Sequence, residues 1–134
     1  QLITMIGAGT IGLTNLTTSL VNIAYFRDRP FVDLDLTVLF YHPTDSSFPS
    51  NAPALVFAVA TVVFATHRRL GLVMFGLALV YGFFRVYAGL HYPTDILAGG
   101  IIGVIASIMV LAVARVCLPM VQLFLKAVRW GHLA

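Results

Sequence analysis

Long apolar runs alternate with short polar segments along this chain of 134 residues. A run of about 20 apolar residues is needed to cross a bilayer as a helix. The pattern therefore predicts an all-α fold, a polytopic transmembrane helical bundle with four spans. We expect these spans at Leu2 to Phe26, Asn51 to Thr66, Leu70 to Tyr87 and Asp95 to Val116.

Polar and small residues inside these runs predict how the helices pack. Asn15, Thr18 and Asn22 share one face of the first helix, and hydrogen bonding between helices is the simplest role for Asn15 and Thr18. Gly99 and Gly103 have a spacing that suits close helix packing. After Pro119, three polar residues share one helical face, which predicts an interfacial amphipathic tail over residues 118–134.

The composition excludes an ordinary soluble domain. Hydrophobic residues make up 60% of the chain, charged residues make up 10%, and no residue is Glu, whereas about 25% charge is usual. The few basic residues are scattered between apolar runs, so we expect no nucleic acid partner. Residues 1–134 form a single membrane-embedded domain in this prediction. The chain begins at Gln1 without an initiator Met, and it is apolar from Leu2, so it lacks the charged n-region of a signal peptide. We therefore expect it to be part of a longer protein.

The distribution of charge predicts the orientation in the membrane. The turn after the second span and the tail carry five basic residues and no acid, whereas the other side carries three Arg and five Asp. The positive-inside rule then places the side rich in Asp outside the cytoplasm.

Ionisable residues gather on that outer side, and such residues at membrane depth are usually functional. Asp95 follows His91 by four positions, so its carboxylate can hold one ring nitrogen of His91 and leave the other as a nucleophile or base. Arg29 and Arg85 supply two guanidinium groups, which suit a phosphate oxyanion. The alternative is that these Arg residues only neutralise nearby carboxylates, namely those of Asp28, Asp33 or Asp95.

A third segment favours the functional interpretation. Ser50 is a candidate N-cap of the second helix, and the free N–H groups that follow, including that of Asn51, attract anions. Two Arg, a His–Asp pair and a helix N-terminus from separate segments are difficult to explain as neutralisation alone. We therefore predict a phosphoryl-transfer site.

These segments resemble the three signature motifs of the type 2 phosphatidic acid phosphatase superfamily. Arg29-Pro30 resembles the end of the first motif, Phe48-Pro49-Ser50-Asn51 resembles the second, and the run from Arg85 through His91 to Asp95 resembles the third. Within the superfamily, the segments Asp28 to Val32 and Asp45 to Ser50, together with His42, are most similar to bacterial undecaprenyl-diphosphatases of the bacitracin-resistance type.

The resemblance implies a six-helix bundle, of which the two N-terminal helices would be missing here, and hydrolysis without metal or cofactor. His91 would attack the terminal phosphorus of undecaprenyl diphosphate to form a phosphohistidine, and Asp95 would orient it. The product, undecaprenyl phosphate, is the carrier lipid of cell-wall synthesis, and the site would lie at the outer face of a bacterial cell membrane. The phosphate oxygens would be held by Arg29, Ser50, Arg85 and the amide of Asn51.

The chain departs from the family pattern at three positions. Phe84 stands where many members have Ser just before the third-motif Arg, which removes one hydroxyl near the phosphate. Asn22 stands where the first motif begins with Lys, and it brings a hydrogen-bond donor without charge. Ala52 stands where the second motif ends in the His that protonates the leaving group, so the general-acid position is vacant. Two explanations remain open: a substitution introduced to trap a substrate state, which the well-matched motif favours, and a natural member that manages without the acid. His42 is an auxiliary candidate for the acid, although contact with headgroups or Asp45 is the simpler role.

Two other functions are compatible with these motifs. One is a broader lipid phosphate phosphatase that acts on phosphatidic acid or phosphatidylglycerol phosphate. The other is a catalytically dead member that binds anionic lipid, which Ala52 and Asn22 would support. The intact set of Arg85, His91 and Asp95 favours an enzyme.

Overall fold

The computed structural model describes residues 2–34 and 43–131, and within these ranges the regular structure is entirely helical. The expected all-α class is therefore confirmed for the described part of the chain. The helices are α1 (Leu2–Ala24), α2 (Pro30–Asp33), α3 (Asn51–Thr66), α4 (Arg68–Tyr87) and α5 (Pro93–Gly131).

Helix α3 lies at the centre of the bundle and contacts α1, α4 and α5. Two glycines of α5 allow its close approach to α3. A Cβ atom on Gly99 would overlap the carbonyl oxygen of Ser50, and one on Gly103 would overlap that of Ala54. The predicted role of the Gly99 and Gly103 spacing in close packing is thus confirmed, and the contact places the N-termini of α3 and α5 side by side.

We predict that Gly103→Ala destabilises the bundle, because the added methyl group must push the α3 backbone away. Overpacking of this kind costs about 1–3 kcal/mol. Gly12 of α1 is the matched control, since no atom lies within 4 Å of a Cβ built there. Thermal unfolding in detergent should show a lower midpoint for Gly103→Ala and an unchanged or higher one for Gly12→Ala. Equal midpoints for the two variants would contradict this account of the packing.

Hydrogen bonds join α1 to the N-terminus of α3. Thr18 donates to the side-chain oxygen of Asn51 at 2.8 Å, and the amide group of Asn51 donates to Asn15 at 2.9 Å. The hydrogen bonding between helices that the sequence predicts for Asn15 and Thr18 is therefore confirmed. Both side-chain ends of Asn51 are held by α1, which fixes this residue beside the site described below.

In the described ranges, two helices are long and apolar enough to cross a membrane, Arg68–Tyr87 and Pro93–Cys117, whereas Asn51–Thr66 is apolar but shorter. Their outward side chains are large and apolar, including Leu72, Leu79 and Ile101, which are each about 60% exposed. A surface of this kind suits a bilayer better than water. The expectation of four spans is therefore not confirmed by these two helices.

Helix α5 differs from its predicted bounds at the C-terminal end. The sequence predicts a span that ends near Val116 and a separate tail helix after Pro119, but α5 runs without a break from Pro93 to Gly131. Proline removes one backbone donor from a helix, and within membrane helices such a loss is tolerated. The placement of residues 118–134 at the membrane surface stays a prediction.

Candidate active site

Three segments converge on His91, which lies in the turn between α4 and α5. The segment after α1 brings Arg29, the last turn of α4 brings Arg85, and the loop before α3 brings Ser47. A cavity of about 250 Å³ opens beside them. Its lining consists of Asn22, Arg29, Asp45, Ser46, Pro49, Asn51, Ala52, Leu55, Arg85 and His91.

Arg29 is held in position by contacts on every nitrogen of its guanidinium group. Its side chain is buried, with only 4% of the residue exposed. Nε donates to the carbonyl of Asp45 at 3.1 Å, Nη2 pairs with the carboxylate of Asp45 at 2.8 Å, and Nη1 donates to the carbonyl of Leu90 at 3.1 Å. The short helix α2 begins directly after it at Pro30. The cation is therefore fixed before any ligand arrives.

The partners of His91 identify its tautomer. Nε2 lies 2.8 Å from Nη2 of Arg85 and 3.3 Å from Nη1 of Arg29, and guanidinium nitrogens only donate. Nδ1 lies 2.9 Å from the carbonyl oxygen of Ser47, which only accepts. Both sides of the ring therefore require a proton on Nδ1 and an unprotonated Nε2, whose lone pair accepts from the two guanidinium groups. That lone pair faces the point where the two guanidinium groups meet.

The surroundings of His91 keep its ring neutral. Burial, followed by the charges of Arg29 and Arg85, lowers the pKa of His91 from 6.5 to about 4. All three effects disfavour the imidazolium form. Protonation would therefore remove the Nε2 lone pair only as the pH falls towards 4, and at neutral pH the nitrogen is available as a nucleophile.

Asp95 does not contact His91 as directly as the sequence analysis expects. Its Oδ2 lies 3.9 Å from Nδ1, which is beyond hydrogen-bond distance. Instead, Oδ2 accepts from the hydroxyl of Ser47 at 2.5 Å and from the amide of Tyr92 at 2.9 Å, while Oδ1 pairs with Arg27 at 2.8 Å. The serine comes between the two residues because the loop before α3 packs into the α4–α5 turn.

The structure also decides how the arginines are paired. In the described part of the chain, Arg29 and Arg85 form no ion pair with Asp28, Asp33 or Asp95. Arg29 pairs with Asp45, both arginines meet at His91, and Asp95 is paired with Arg27. Nε of Arg85 is buried and has no partner in the part of the chain that the structure describes. The site thus presents two cations to one uncharged ring nitrogen.

The N-terminus of α3 borders the cavity through Asn51 and Ala52. Ser50 is the N-cap residue, as the sequence predicts, but its side chain makes no capping hydrogen bond. Its hydroxyl is buried without a partner among the described residues, and Ser50 is not in the lining of the cavity. Ala52 lines the same cavity as His91, so the position that the resemblance assigns to the general acid lies within the site.

The two auxiliary candidates have different outcomes. Asn22 lines the cavity, and its amide group donates to the carbonyl of Phe48 at 2.5 Å and to that of Pro49 at 3.2 Å. It therefore holds the loop before α3 rather than bringing charge to the site. His42 lies outside the described residues.

Sequence reasoning misses two residues of the site, Ser47 and Arg27. Ser47 lies in a polar loop, where serine hydroxyls usually form hydrogen bonds with backbone groups. No sequence pattern therefore marks it as a site residue. Arg27 lies two positions before Arg29, and the sequence does not reveal which arginine meets which carboxylate. The guanidinium group of Arg27 also lies 4.0 Å above the ring of Tyr92, which fixes the segment after α1 against the α4–α5 turn.

A family comparison agrees with this geometry. The model of the PAP2 superfamily matches residues 3–118. The chain belongs to the PAP2 superfamily. The resemblance that the three motifs indicate is therefore confirmed, and the match covers every described residue of the cavity.

Two curated relatives are similar to this chain in sequence. The chain is 32% identical over 122 residues to the undecaprenyl-diphosphatase BcrC of Bacillus subtilis, a match that covers 89% of this chain and 62% of the relative. It is 35% identical over 83 residues to the bacitracin transport permease protein BcrC of Bacillus licheniformis, covering 61% of this chain and 41% of that protein. The chain thus spans less than two thirds of the length of these relatives.

Two solved structures have similar folds. Aquifex aeolicus LpxE superimposes with a TM-score of 0.72 at 29% identity, covering 80% of this chain and 66% of that one. A transmembrane PAP2 type phosphatidylglycerolphosphate phosphatase from Bacillus subtilis gives a TM-score of 0.63 at 25% identity, covering 85% of this chain and 67% of that one.

Proposed function

We propose that this chain hydrolyses undecaprenyl diphosphate to undecaprenyl phosphate and inorganic phosphate. The observation that carries the proposal is the unprotonated Nε2 of His91, which accepts hydrogen bonds from Arg29 and Arg85 at the wall of a cavity. A nucleophile beside two preorganised cations suits attack on a phosphate whose oxygens carry negative charge. The 32% identity to the undecaprenyl-diphosphatase BcrC supports the choice of substrate.

In this mechanism the reaction has two displacements. Nε2 of His91 attacks the terminal phosphorus, the bond to the bridging oxygen breaks, and undecaprenyl phosphate leaves with that oxygen. A water molecule then attacks the phosphohistidine, the N–P bond breaks, and inorganic phosphate is released. Arg29 and Arg85 bind the phosphate oxygens in both steps, so that guanidinium groups supply the positive charge and the mechanism requires no metal or cofactor.

The hydroxyl of Ser50 and the backbone N–H of Asn51 complete the proposed phosphate site. Both residues stand at the N-terminus of α3, where free N–H groups favour an anion. The buried hydroxyl of Ser50 lacks a partner among the described residues, so it is free to donate to an oxyanion after a small movement. His42 stays an auxiliary candidate for the general acid.

The same proposal places the site at the outer face of a bacterial cell membrane. The charge distribution supports this orientation, because the residues that surround His91 lie on the side rich in Asp. The lipid tail would remain in the bilayer while the diphosphate enters the cavity. Four helices of the chain would cross the membrane as part of the six-helix family bundle, with residues 118–134 at the surface.

A broader lipid phosphate phosphatase is the second candidate. The structural likeness to a phosphatidylglycerolphosphate phosphatase from Bacillus subtilis favours it. Phosphatidic acid and phosphatidylglycerol phosphate present a phosphate monoester on an alkoxide leaving group, whereas undecaprenyl diphosphate presents a phosphate leaving group. Relative rates on these lipids therefore separate the two candidates.

The test is phosphate release by the full-length protein in detergent without divalent metal, with each lipid in turn. We expect slow release from undecaprenyl diphosphate and almost none from phosphatidic acid. A phosphate leaving group has a second pKa of about 6, so it can depart as an anion and depends less on a general acid. An alkoxide, whose conjugate acid has a pKa of about 15.7, depends on one strongly. Comparable rates on both lipids, relative to those of Ala52→His, would contradict the proposed preference.

A catalytically dead lipid-binding member is the third candidate, and Ala52 is the observation that favours it. If no lipid releases phosphate, binding of vanadate, a phosphate mimic, decides between a failed fold and a binding protein. Binding that is lost in Arg85→Gln would indicate an intact oxyanion site without catalysis.

A further inference from the structure

Ser47 lies between the proposed nucleophile and its supporting carboxylate. We propose that Ser47 is the positioning residue of this site: its carbonyl oxygen sets the ring of His91, and its hydroxyl holds Asp95 away from that ring. The inference rests on the proposed function in that it takes His91 as the nucleophile. From the His91–Asp95 spacing alone, Asp95 would orient the ring of His91. The proposal gives that role to Ser47, in the loop before α3.

All three polar atoms of Ser47 are engaged, and the residue is fully buried. Its amide donates to the carbonyl of Arg27 at 2.9 Å, and its hydroxyl donates to Asp95 at 2.5 Å. Its carbonyl accepts from Nδ1 of His91 at 2.9 Å. One residue thus ties together the segment after α1, the start of α5 and the α4–α5 turn.

The carboxylate of Asp95 has its hydrogen-bond partners without His91. Arg27 occupies Oδ1, while the amide of Tyr92 and the hydroxyl of Ser47 occupy Oδ2. Asp95 is fully buried, so these donors replace water around its charge. Asp95 therefore acts on His91 through the position of Ser47, and its 3.9 Å separation from Nδ1 follows from where its donors lie.

This arrangement has a chemical consequence for the ring. A carboxylate in direct contact with Nδ1 would favour the imidazolium form, whereas a peptide carbonyl orients the ring without adding a negative charge. Among the described residues, the charged groups that act on the pKa of His91 are Arg29, Arg85 and Asp95. Arg29 is paired with Asp45, which lines the same cavity, and Asp95 is paired with Arg27. Burial, Arg29 and Arg85 lower the pKa of His91 and keep Nε2 unprotonated, whereas the hydrogen bond from Nδ1 to the carbonyl of Ser47 raises that pKa. The contribution of Ser47 is therefore the direction in which Nε2 points.

The test uses ¹⁵N NMR of the full-length protein, labelled at histidine, in detergent. The signals of His91 are assigned by their loss in His91→Gln. In Ser47→Ala the carboxylate of Asp95 loses a donor and can accept Nδ1–H directly, so the pKa of His91 should rise by about one unit or more. Ser107→Ala is the matched control, because Ser107 is also fully buried and its hydroxyl donates only to carbonyls, those of Ala58 and Gly103.

An unchanged pKa of His91 in Ser47→Ala, or an equal shift in Ser107→Ala, would overturn the proposal. The NMR readout needs no substrate, so it distinguishes failure of this inference from failure of the proposed hydrolysis. If Ser47→Ala does not fold, the unaltered protein still gives an answer. A strongly deshielded Nδ1 proton, the sign of a short charge-assisted bond to a carboxylate, would overturn the proposal, and a resonance of an ordinary amide-carbonyl bond would support it.

Kinetics test whether the position of the ring matters for the reaction. Misplacement of a reacting group by about 1 Å reduces rates by about 10²-fold. We therefore expect Ser47→Ala to lower kcat by about tenfold to a hundredfold with KM unchanged, because the phosphate-binding arginines stay in place. A raised pKa of His91 with an unchanged kcat would show that Ser47 does not position the nucleophile.

Discussion

Ala52→His should raise phosphate release from undecaprenyl diphosphate by about 10²-fold to 10⁴-fold, the usual contribution of a positioned general acid. Ala52 lines the same cavity as His91, so an imidazole at this position would reach the oxygen that leaves. The measurement is the initial rate of phosphate release by the full-length protein in detergent, without divalent metal, for both sequences.

Ala52→Gln is the control for this prediction. Glutamine brings a polar side chain of similar reach, but it has no proton to transfer near neutral pH. We expect its rate to stay at the level of Ala52. The gain on Ala52→His should be larger for phosphatidic acid than for undecaprenyl diphosphate, because the alkoxide needs the proton more. An equal gain from Gln and His would show that position 52 acts by filling space.

His91→Gln should abolish phosphate release, both alone and together with Ala52→His. The amide of Gln can donate and accept hydrogen bonds, but it cannot form the phosphorylated intermediate. His67→Gln is the matched control, since His67 is exposed in the turn between α3 and α4 and lies outside the cavity. Its rate should equal that of the unaltered protein.

Residual release by His91→Gln within about tenfold of the parent rate would contradict a nucleophilic His91. Removal of a nucleophile is expected to cost far more, about 10⁶-fold in the best-studied serine hydrolase. Binding of vanadate to His91→Gln would show in the same experiment that Arg29 and Arg85 still hold an anion, so that the loss belongs to chemistry and not to the fold.

Much of the architecture could be predicted because apolar runs and small residues determine it locally. The second run predicts α3 with its observed bounds, and Gly99 and Gly103 predict the contact between α5 and α3. The start of α4 lies two residues before its predicted position at Leu70. The passage of α5 through Pro119 could not be foreseen, because proline ends most helices in water but is tolerated in membrane helices.

The sequence predicts which charged residues form the site, but it does not predict all of the hydrogen bonds and ion pairs between them. Arg29, Arg85 and His91 meet as the sequence indicates, since their residue types and spacing suit an oxyanion. The pairing of Asp95 with Arg27 and its separation from His91 depend on how a loop folds into a turn 44 positions away. Helical spacing carries no information about that contact. Ser47 could therefore be recognised only from the fold.

The measurement that tests the central claim most directly is capture of phosphate on His91. The full-length protein carrying Ala52→His is mixed with undecaprenyl diphosphate labelled in its terminal phosphate, quenched in base during the first turnovers, and digested for mass spectrometry. We predict an acid-labile phosphate on Nε2 of His91 and none in His91→Gln. Continued phosphate release with no labelled chain, or with the label on another residue, would contradict the account.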